Sequence, residues 1–128
     1  MDATPIIIHG WTDAQAAIAH DSGVILRSAP GAALYAGVLW WRELIAALRS
    51  KTGWRGLALL DCGGEAAYAV EAIHCGVTGL ILDAACPLFD EVASLARQAG
   101  GELWEARNGA LRRPDSSSAG PKTTATPS

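Results

Sequence analysis

The chain has 128 residues, 50% of them hydrophobic, and a formal net charge of −3. This balance is typical of one globular domain and excludes a chain too polar to bury a core. The mild acidity gives no support for a nucleic-acid surface. Arg42, Arg49, Lys51 and Arg55 do cluster, but three of them are expected near a helix end, where cations complement the helix dipole.

The N-terminus has no basic segment before an apolar one, so we expect no signal peptide. The most apolar stretch, residues 31–41, is too short to span a bilayer. The chain has an odd number of cysteines, and they lack the spacing of metal ligands: Cys62, Cys75 and Cys86. These features predict a reduced, cytoplasmic protein that binds neither a membrane nor a nucleic acid.

Hydrophobic patterning predicts five strands that alternate with four helices. The strands are expected at residues 6–9, 24–28, 57–61, 80–83 and 102–106. The first helix should cover about residues 13–20, with a capping box formed by Thr12 and Gln15. The longest helix should end near Arg49, and the last two should cover about 65–74 and 87–99. From residue 107 the chain is rich in Pro, Ser and Thr, so we expect a domain at 1–106 and a disordered tail at 107–128.

Two helices show apolar residues at helical spacing, which predicts the faces that they bury. In the longest helix these residues are Leu34, Val38, Trp41, Ile45 and Leu48. In the last helix they are Leu88, Val92, Leu95 and Ala99.

The alternation of strands and helices predicts an α/β fold with a mainly parallel, five-stranded sheet. We expect a flavodoxin-like strand order of 2-1-3-4-5, with helices on both faces. The alternative is a half (βα)-barrel, which would expose an unpaired sheet edge unless the chain dimerised.

The central strand ends in Asp61, Cys62 and Gly63, which makes its carboxyl end the first place to seek a site. Because parallel strands share that edge, several reactive side chains should lie on one side of the domain: His9, Ser28, Asp61, Cys62, Asp83 and Cys86. If the first and third strands were neighbours, His9 would face Asp61 and Cys62.

Three kinds of chemistry are open at this edge. Cys62 would be a nucleophile with His9 as its base, although the adjacent Asp61 disfavours a thiolate. A metal site of His9, Asp61 and Asp83 has no close ligand spacing, so we expect no metal and interpret the two acids as loop or helix caps. The small residues from Ser28 through Gly31 precede a helix without an acid, so their backbone N–H groups would cradle an anion.

Several cofactor classes lack support from the sequence. Neither a G-x-G-x-x-G nor a Walker motif occurs, so no nucleotide cofactor is predicted, and the cofactor stays unknown. Lys51 and Lys122, the two lysines, do not follow a predicted strand, which argues against a Schiff-base aldolase.

Asp61 at the end of the third strand, together with the segment 72–80, resembles the receiver domain of response regulators. The chain lacks that family's acidic pair and late lysine, so the resemblance implies the fold and not phosphorylation. The βα pattern of residues 6–106, with its Ser-Ala-Pro-Gly and Asp-Cys-Gly-Gly turns, also resembles short uncharacterised bacterial α/β proteins and fragments of (βα)-barrel enzymes. These turns imply no activity.

The favoured function is a small non-catalytic domain that binds a ligand or partner at the carboxyl edge. A small anionic ligand would contact His9, Ser28, Gly31, Asp61 and Gly63. One alternative is a lyase or hydrolase that acts on a small anionic substrate through Cys62 or His9. The other is a homodimer or partner subunit that uses exposed tryptophans, Trp11 or Trp104, and an open sheet edge.

Overall fold

A computed structural model describes residues 4–114 of the chain. Of the tail predicted at 107–128, residues 115–128 lie outside the described residues. Within 4–114 the strands are β1 (Ile6–Ile7), β2 (Leu26–Arg27), β3 (Ala58–Asp61), β4 (Gly79–Asp83), β5 (Glu102–Arg107) and β6 (Ala110–Arg112). The helices are α1 (Trp11–His20), α2 (Ala32–Tyr35), α3 (Val38–Thr52), α4 (Ala66–His74) and α5 (Phe89–Gln98).

The strands lie in the order β1-β2-β3-β4-β5-β6, with the first five parallel and β6 antiparallel to β5. This confirms the α/β class, but the flavodoxin-like order is wrong. Each strand lies beside its predecessor, and successive crossovers of the same hand place the helices on one face of the sheet rather than on both. The sheet curls into the half-barrel that was the alternative arrangement.

A tight hairpin adds a strand that we did not predict. Asn108 and Gly109 adopt φ values of 52° and 80°, which suits a two-residue turn whose twist matches that of the flanking strands. The chain then returns as β6 along β5. The fold therefore extends past residue 106, where the tail was expected to begin.

The sheet is buried on both faces, as expected for the central strand. Leu60 and Leu80 face the helices, whereas Leu59 and Ile81 lie in a second cluster on the concave face. Trp104 belongs to the concave cluster and is only 3% exposed, so the prediction that it offers an exposed surface is wrong. The pairing of β6 with β5 explains this, because β5 is not an edge strand. Trp11 is partly buried against the helix-side core.

The longest helix of the sequence analysis is two helices. Gly37, with φ 98°, lies between α2 and α3 and holds a conformation that interrupts a helix. The four apolar residues on the C-terminal side of the break are buried as predicted: Val38, Trp41, Ile45 and Leu48. Leu34, on the other side, is 43% exposed.

The buried face of α5 also differs from the prediction. Val92 is buried, but Leu88 and Leu95 are 51% and 39% exposed. Ala96 is the second buried residue of the helix, and Phe89 packs against the same core. The helix begins at Phe89, and the face that contacts the sheet follows the spacing of 89, 92 and 96 instead of the leucines.

Gly79 marks where β4 meets the backbone of its neighbour β3, and this close approach generates a prediction. A β-carbon at Gly79 would overlap the carbonyl oxygen of Ala58, far inside van der Waals contact. We expect Gly79→Ala to lower the free energy of unfolding by about 3 kcal/mol, the upper range for overpacking a rigid site. Gly10→Ala is the control, because nothing lies within 4 Å of its β-carbon position. Urea unfolding measures both, and equal stability of the two variants would contradict the close approach of β3 and β4.

Candidate functional site

The side chain of Asp61 is the centre of the polar network at the carboxyl edge of the sheet. Its Oδ2 lies 2.9 Å from Nη2 of Arg27. Its Oδ1 accepts the backbone N–H of Gly31 at 3.0 Å and that of Gly63 at 2.8 Å. One buried carboxylate therefore joins the end of β2, the loop after it and the loop after β3.

Ser28 completes this network from the neighbouring strand. The hydroxyl is fully buried, accepts the backbone N–H of Asp61 at 2.9 Å and donates to the carbonyl of Ala29 at 3.2 Å. The loop that was predicted to cradle an external anion thus lies beside Asp61. The N–H of Gly31, which was to bind that anion, already binds the chain's own carboxylate. The predicted anion site is occupied by Asp61, because β2 and β3 are adjacent in the sheet.

The strand order also separates His9 from the other candidates. Since β2 lies between β1 and β3, His9 does not face Asp61 or Cys62 as it would in a flavodoxin-like sheet.

His9 is exposed, and its backbone N–H donates to Oδ2 of Asp13. Gly10 donates to the other oxygen of Asp13, so Asp13 does the capping that we assigned to Thr12 and Gln15. Desolvation acts to raise the pKa of Asp13, but these backbone hydrogen bonds outweigh it and lower the pKa.

Cys62 is placed where a nucleophile cannot act. The residue is fully buried among the helix-side apolar residues, and its Sγ lies 3.8 Å from the carbonyl oxygen of Leu60. Burial, and secondarily the charge of Asp61, raise the pKa of the Cys62 thiol to about 12. The geometry gives no pairing with His9 and no thiolate at neutral pH.

Asp83, the last residue of β4, binds a backbone group of the loop that follows it. Asp83 is exposed, and its Oδ1 accepts the backbone N–H of Ala85 at 2.8 Å. Within residues 4–114, no group of three or more His, Cys, Asp or Glu residues could hold a metal ion. His9, Asp61 and Asp83 share an edge of the sheet without converging on one point.

The structure contains a groove that sequence reasoning missed. A cavity of about 480 Å³ lies between the two edge strands of the half-barrel. One side is formed by Thr4, Pro5 and Ile7, and the other by residues 109–111 and Arg113. Arg27 and Trp104 line it from the strands between these edges. Among residues 4–114, the lining has two arginines and no carboxylate.

Arg27 is the notable group in this groove, because its side chain is only 10% exposed. Its Nη2 pairs with Asp61, and its Nε donates to the carbonyl of Ser28 at 2.9 Å. No hydrogen bond joins its Nη1 to any group in the described part of the chain. The signal in the sequence was a charge inside a buried strand, which is rare unless the charge is paired.

Arg113 is the second cation of the groove. Its guanidinium lies over the ring of Trp104, 5.4 Å from the ring centroid, and its Nε is 3.2 Å from Oε1 of Glu102. The same carboxylate accepts the indole N–H of Trp104. Arg113 is 42% exposed at its side chain, so it lies at the mouth of the groove whereas Arg27 lies at its base.

Searches with the chain found no matching family model, no matching curated protein and no matching solved structure. The resemblance to short α/β proteins and barrel fragments therefore stays a prediction, and function has to be argued from geometry. No helix within residues 4–114 has the length and apolar character needed to cross a bilayer.

The burial of Cys62 predicts how slowly it reacts. Because burial raises the pKa of the Cys62 thiol to about 12, thiolate, which is the reactive form, is scarce at pH 8. We expect Cys75, which is partly exposed, to be labelled by a thiol reagent first, and Cys62 only when the protein unfolds. Mass spectrometry of timed samples identifies each labelled site. Labelling of Cys62 in the native protein at the rate of an ordinary peptide thiol would contradict this placement.

The pairing of Asp61 with Arg27 predicts strong coupling in a double-mutant cycle. Asp61→Asn leaves Arg27 as a buried, uncompensated charge, so we expect it to lower the free energy of unfolding by about 3–5 kcal/mol. Adding Arg27→Met removes that charge, and Oδ1 of the asparagine still accepts the N–H groups of Gly31 and Gly63. The double variant should therefore be more stable than Asp61→Asn alone. Additive losses in chemical denaturation would show that the pair is not coupled.

Proposed function

We propose that this protein is a small non-catalytic binding domain whose groove between β1 and β6 holds a small anionic ligand. The observation that carries the proposal is the side chain of Arg27, which is nine-tenths buried at a cavity of about 480 Å³. A buried guanidinium is stable when its donors are satisfied, and an anion in the groove supplies the acceptor for Nη1.

The arrangement favours an anion over a neutral ligand or a cation. Arg27 and Arg113 both line the groove, and no acidic side chain of the described part of the chain does. Asp61 pairs with Arg27 from the strand side and orients its guanidinium, which leaves a second edge of that planar group for a carboxylate or phosphate. The ligand is thus expected away from Gly31 and Gly63, at a different part of the half-barrel from the one that the sequence indicated.

The groove also favours a ligand with some apolar surface. Ile7, Trp104 and Leu111 line it together with the two arginines. Binding sites for small molecules commonly combine mostly apolar walls with a few polar groups that set the orientation. The proposed ligand carries one anionic group for Arg27 and an apolar part that contacts these three side chains.

The absence of a formed catalytic pair in the described residues is the reason that we propose binding rather than catalysis. The alternative enzyme required Cys62 or His9, and these residues neither approach each other nor line the groove. We also propose a cytoplasmic location and no nucleic-acid or membrane partner, which the unpaired state of all three cysteines supports for a reducing compartment.

The test is a titration with small anions. Benzoate, inorganic phosphate and a sugar phosphate are titrated into the protein, with isothermal calorimetry and thermal unfolding as readouts. We expect at least one to bind and to raise the unfolding temperature.

Combining Arg27→Met with Asp61→Asn should weaken the binding of that ligand by about tenfold to a hundredfold, which corresponds to the loss of one charge-assisted hydrogen bond. Arg107→Gln is the matched control, because Arg107 is exposed and paired with Glu105 away from the groove lining. Equal affinity of the wild type and the double variant would overturn the proposal, as would the failure of all three anions to bind.

A further inference from the structure

Exposed apolar side chains concentrate at the carboxyl edge of the sheet. Eight large apolar residues are exposed within residues 4–114, and five of them lie at this edge: Leu34, Tyr35, Leu39, Tyr68 and Leu88. We call these five residues the carboxyl rim. Three of them are about half exposed or more, with Tyr35 at 70%, Leu39 at 54% and Leu88 at 51%.

The topology explains why these residues share one edge. In parallel βα units, each helix begins at the carboxyl end of the preceding strand. Leu39 is in the first turn of α3, Tyr68 is in the first turn of α4, and Leu88 caps α5. Leu34, in α2, lies over Gly63, 3.7 Å from the position that a β-carbon at that glycine would occupy. The rim is therefore a surface above the strand ends, separate from the groove lining.

The charges around the carboxyl rim are mostly negative. Exposed acids lie at the same edge, and they have no ion pair within residues 4–114: Glu65, Asp83, Asp90 and Glu91. Arg107, which ends β5 at this edge, is paired with Glu105 at 2.7 Å. The opposite edge carries the helix-terminal cations Arg49, Lys51 and Arg97.

We propose that the carboxyl rim docks a basic amphipathic segment of a partner protein. Its apolar side chains would cover Tyr35, Leu39 and Leu88, and its lysines or arginines would face the unpaired acids. Exposed apolar side chains that share one edge and are bordered by charge of one sign are typical of a protein interaction surface. The oxygens of Asp61 already accept hydrogen bonds from Arg27, Gly31 and Gly63, so this carboxylate is not free to bind a small polar ligand at this edge.

A second copy of this chain fits the rim less well than a separate partner. The basic edge of another copy matches the charge, but within residues 4–114 the remaining exposed large apolar side chains are Ile6, Ile7 and Leu95, on β1 and α5. Ile6 and Ile7 lie on β1, away from the helix-terminal cations, so Leu95, two residues before Arg97, is the one exposed leucine of that set beside them. A contact between unlike edges of two copies would also leave one rim and one basic edge free, and such head-to-tail contacts propagate into rings or open chains and not into a closed pair.

The test uses a labelled synthetic peptide as the probe. The peptide has roughly 18 residues, about five helical turns, with leucine on one face and lysine on the other. A matched peptide carries glutamate in place of lysine. Fluorescence anisotropy should show binding of the lysine peptide and weaker or no binding of the glutamate peptide. Raising the salt concentration should reduce binding, since ionic screening weakens exposed charge pairs.

Two variants and a control locate the binding surface. Combining Tyr35→Ser with Leu88→Ser should lower the affinity for the lysine peptide by about tenfold or more, because buried apolar anchors carry most of the binding energy of an interface. Leu95→Ser removes an exposed leucine from α5 outside the rim and should leave the affinity unchanged. All three side chains are exposed, so thermal unfolding should show that the variants stay folded.

Three results would overturn the proposal. One is equal binding of the lysine and glutamate peptides, and another is equal loss of affinity in the rim and Leu95→Ser variants. The third is self-association in sedimentation velocity that Tyr35→Ser with Leu88→Ser abolishes, which would assign the rim to a second copy. None of these results depends on the ligand of the groove.

Discussion

The carboxylate of Asp61 is the interaction on which the carboxyl side of this half-barrel depends. It holds Arg27 on one oxygen and the backbone N–H groups of Gly31 and Gly63 on the other. A carboxylate so deeply buried is stable only when its oxygens are satisfied. The loops after β2 and β3 are therefore held in one arrangement, and the guanidinium of Arg27 is oriented toward the groove.

Because of this network, the molecule has two surfaces of different chemistry, one at the strand ends and one on the concave side of the sheet. At the strand ends, the polar groups contact one another, and Cys62 is buried with a raised pKa, so the rim exposes apolar side chains and helix-terminal acids. On the concave side, Arg27 and Arg113 line a groove to which the residues from 4 to 114 contribute no acid. In many (βα) folds the strand ends carry the catalytic residues. Here Asp61 binds groups of its own chain and Cys62 is buried, and that difference is why we propose binding functions.

Much of the fold was predictable from local patterns, because those patterns reflect local physical chemistry. The apolar run that ends at Asp61 indicated a strand buried on both faces, and the spacing of Val38, Trp41, Ile45 and Leu48 indicated the buried face of α3. The Asn108-Gly109 turn is also a local signal, because this dipeptide favours a two-residue hairpin. The grouping of Ser28, Gly31, Asp61 and Gly63 also followed from the parallel arrangement. The partners of these groups did not, since they depend on which strands are neighbours.

The sequence by itself determined the α/β class, the approximate strands and helices, and the edge at which the polar residues gather. Propensity, periodicity and turn chemistry act over a few residues, so they are present in any short stretch of the chain. The tertiary structure alone decided that β2 lies between β1 and β3, that Asp61 occupies the anion position beside Gly31, and that Arg27 reaches a groove. These outcomes depend on contacts between residues some thirty positions apart, such as Arg27 with Asp61, and local patterning carries no information about which distant strands pair.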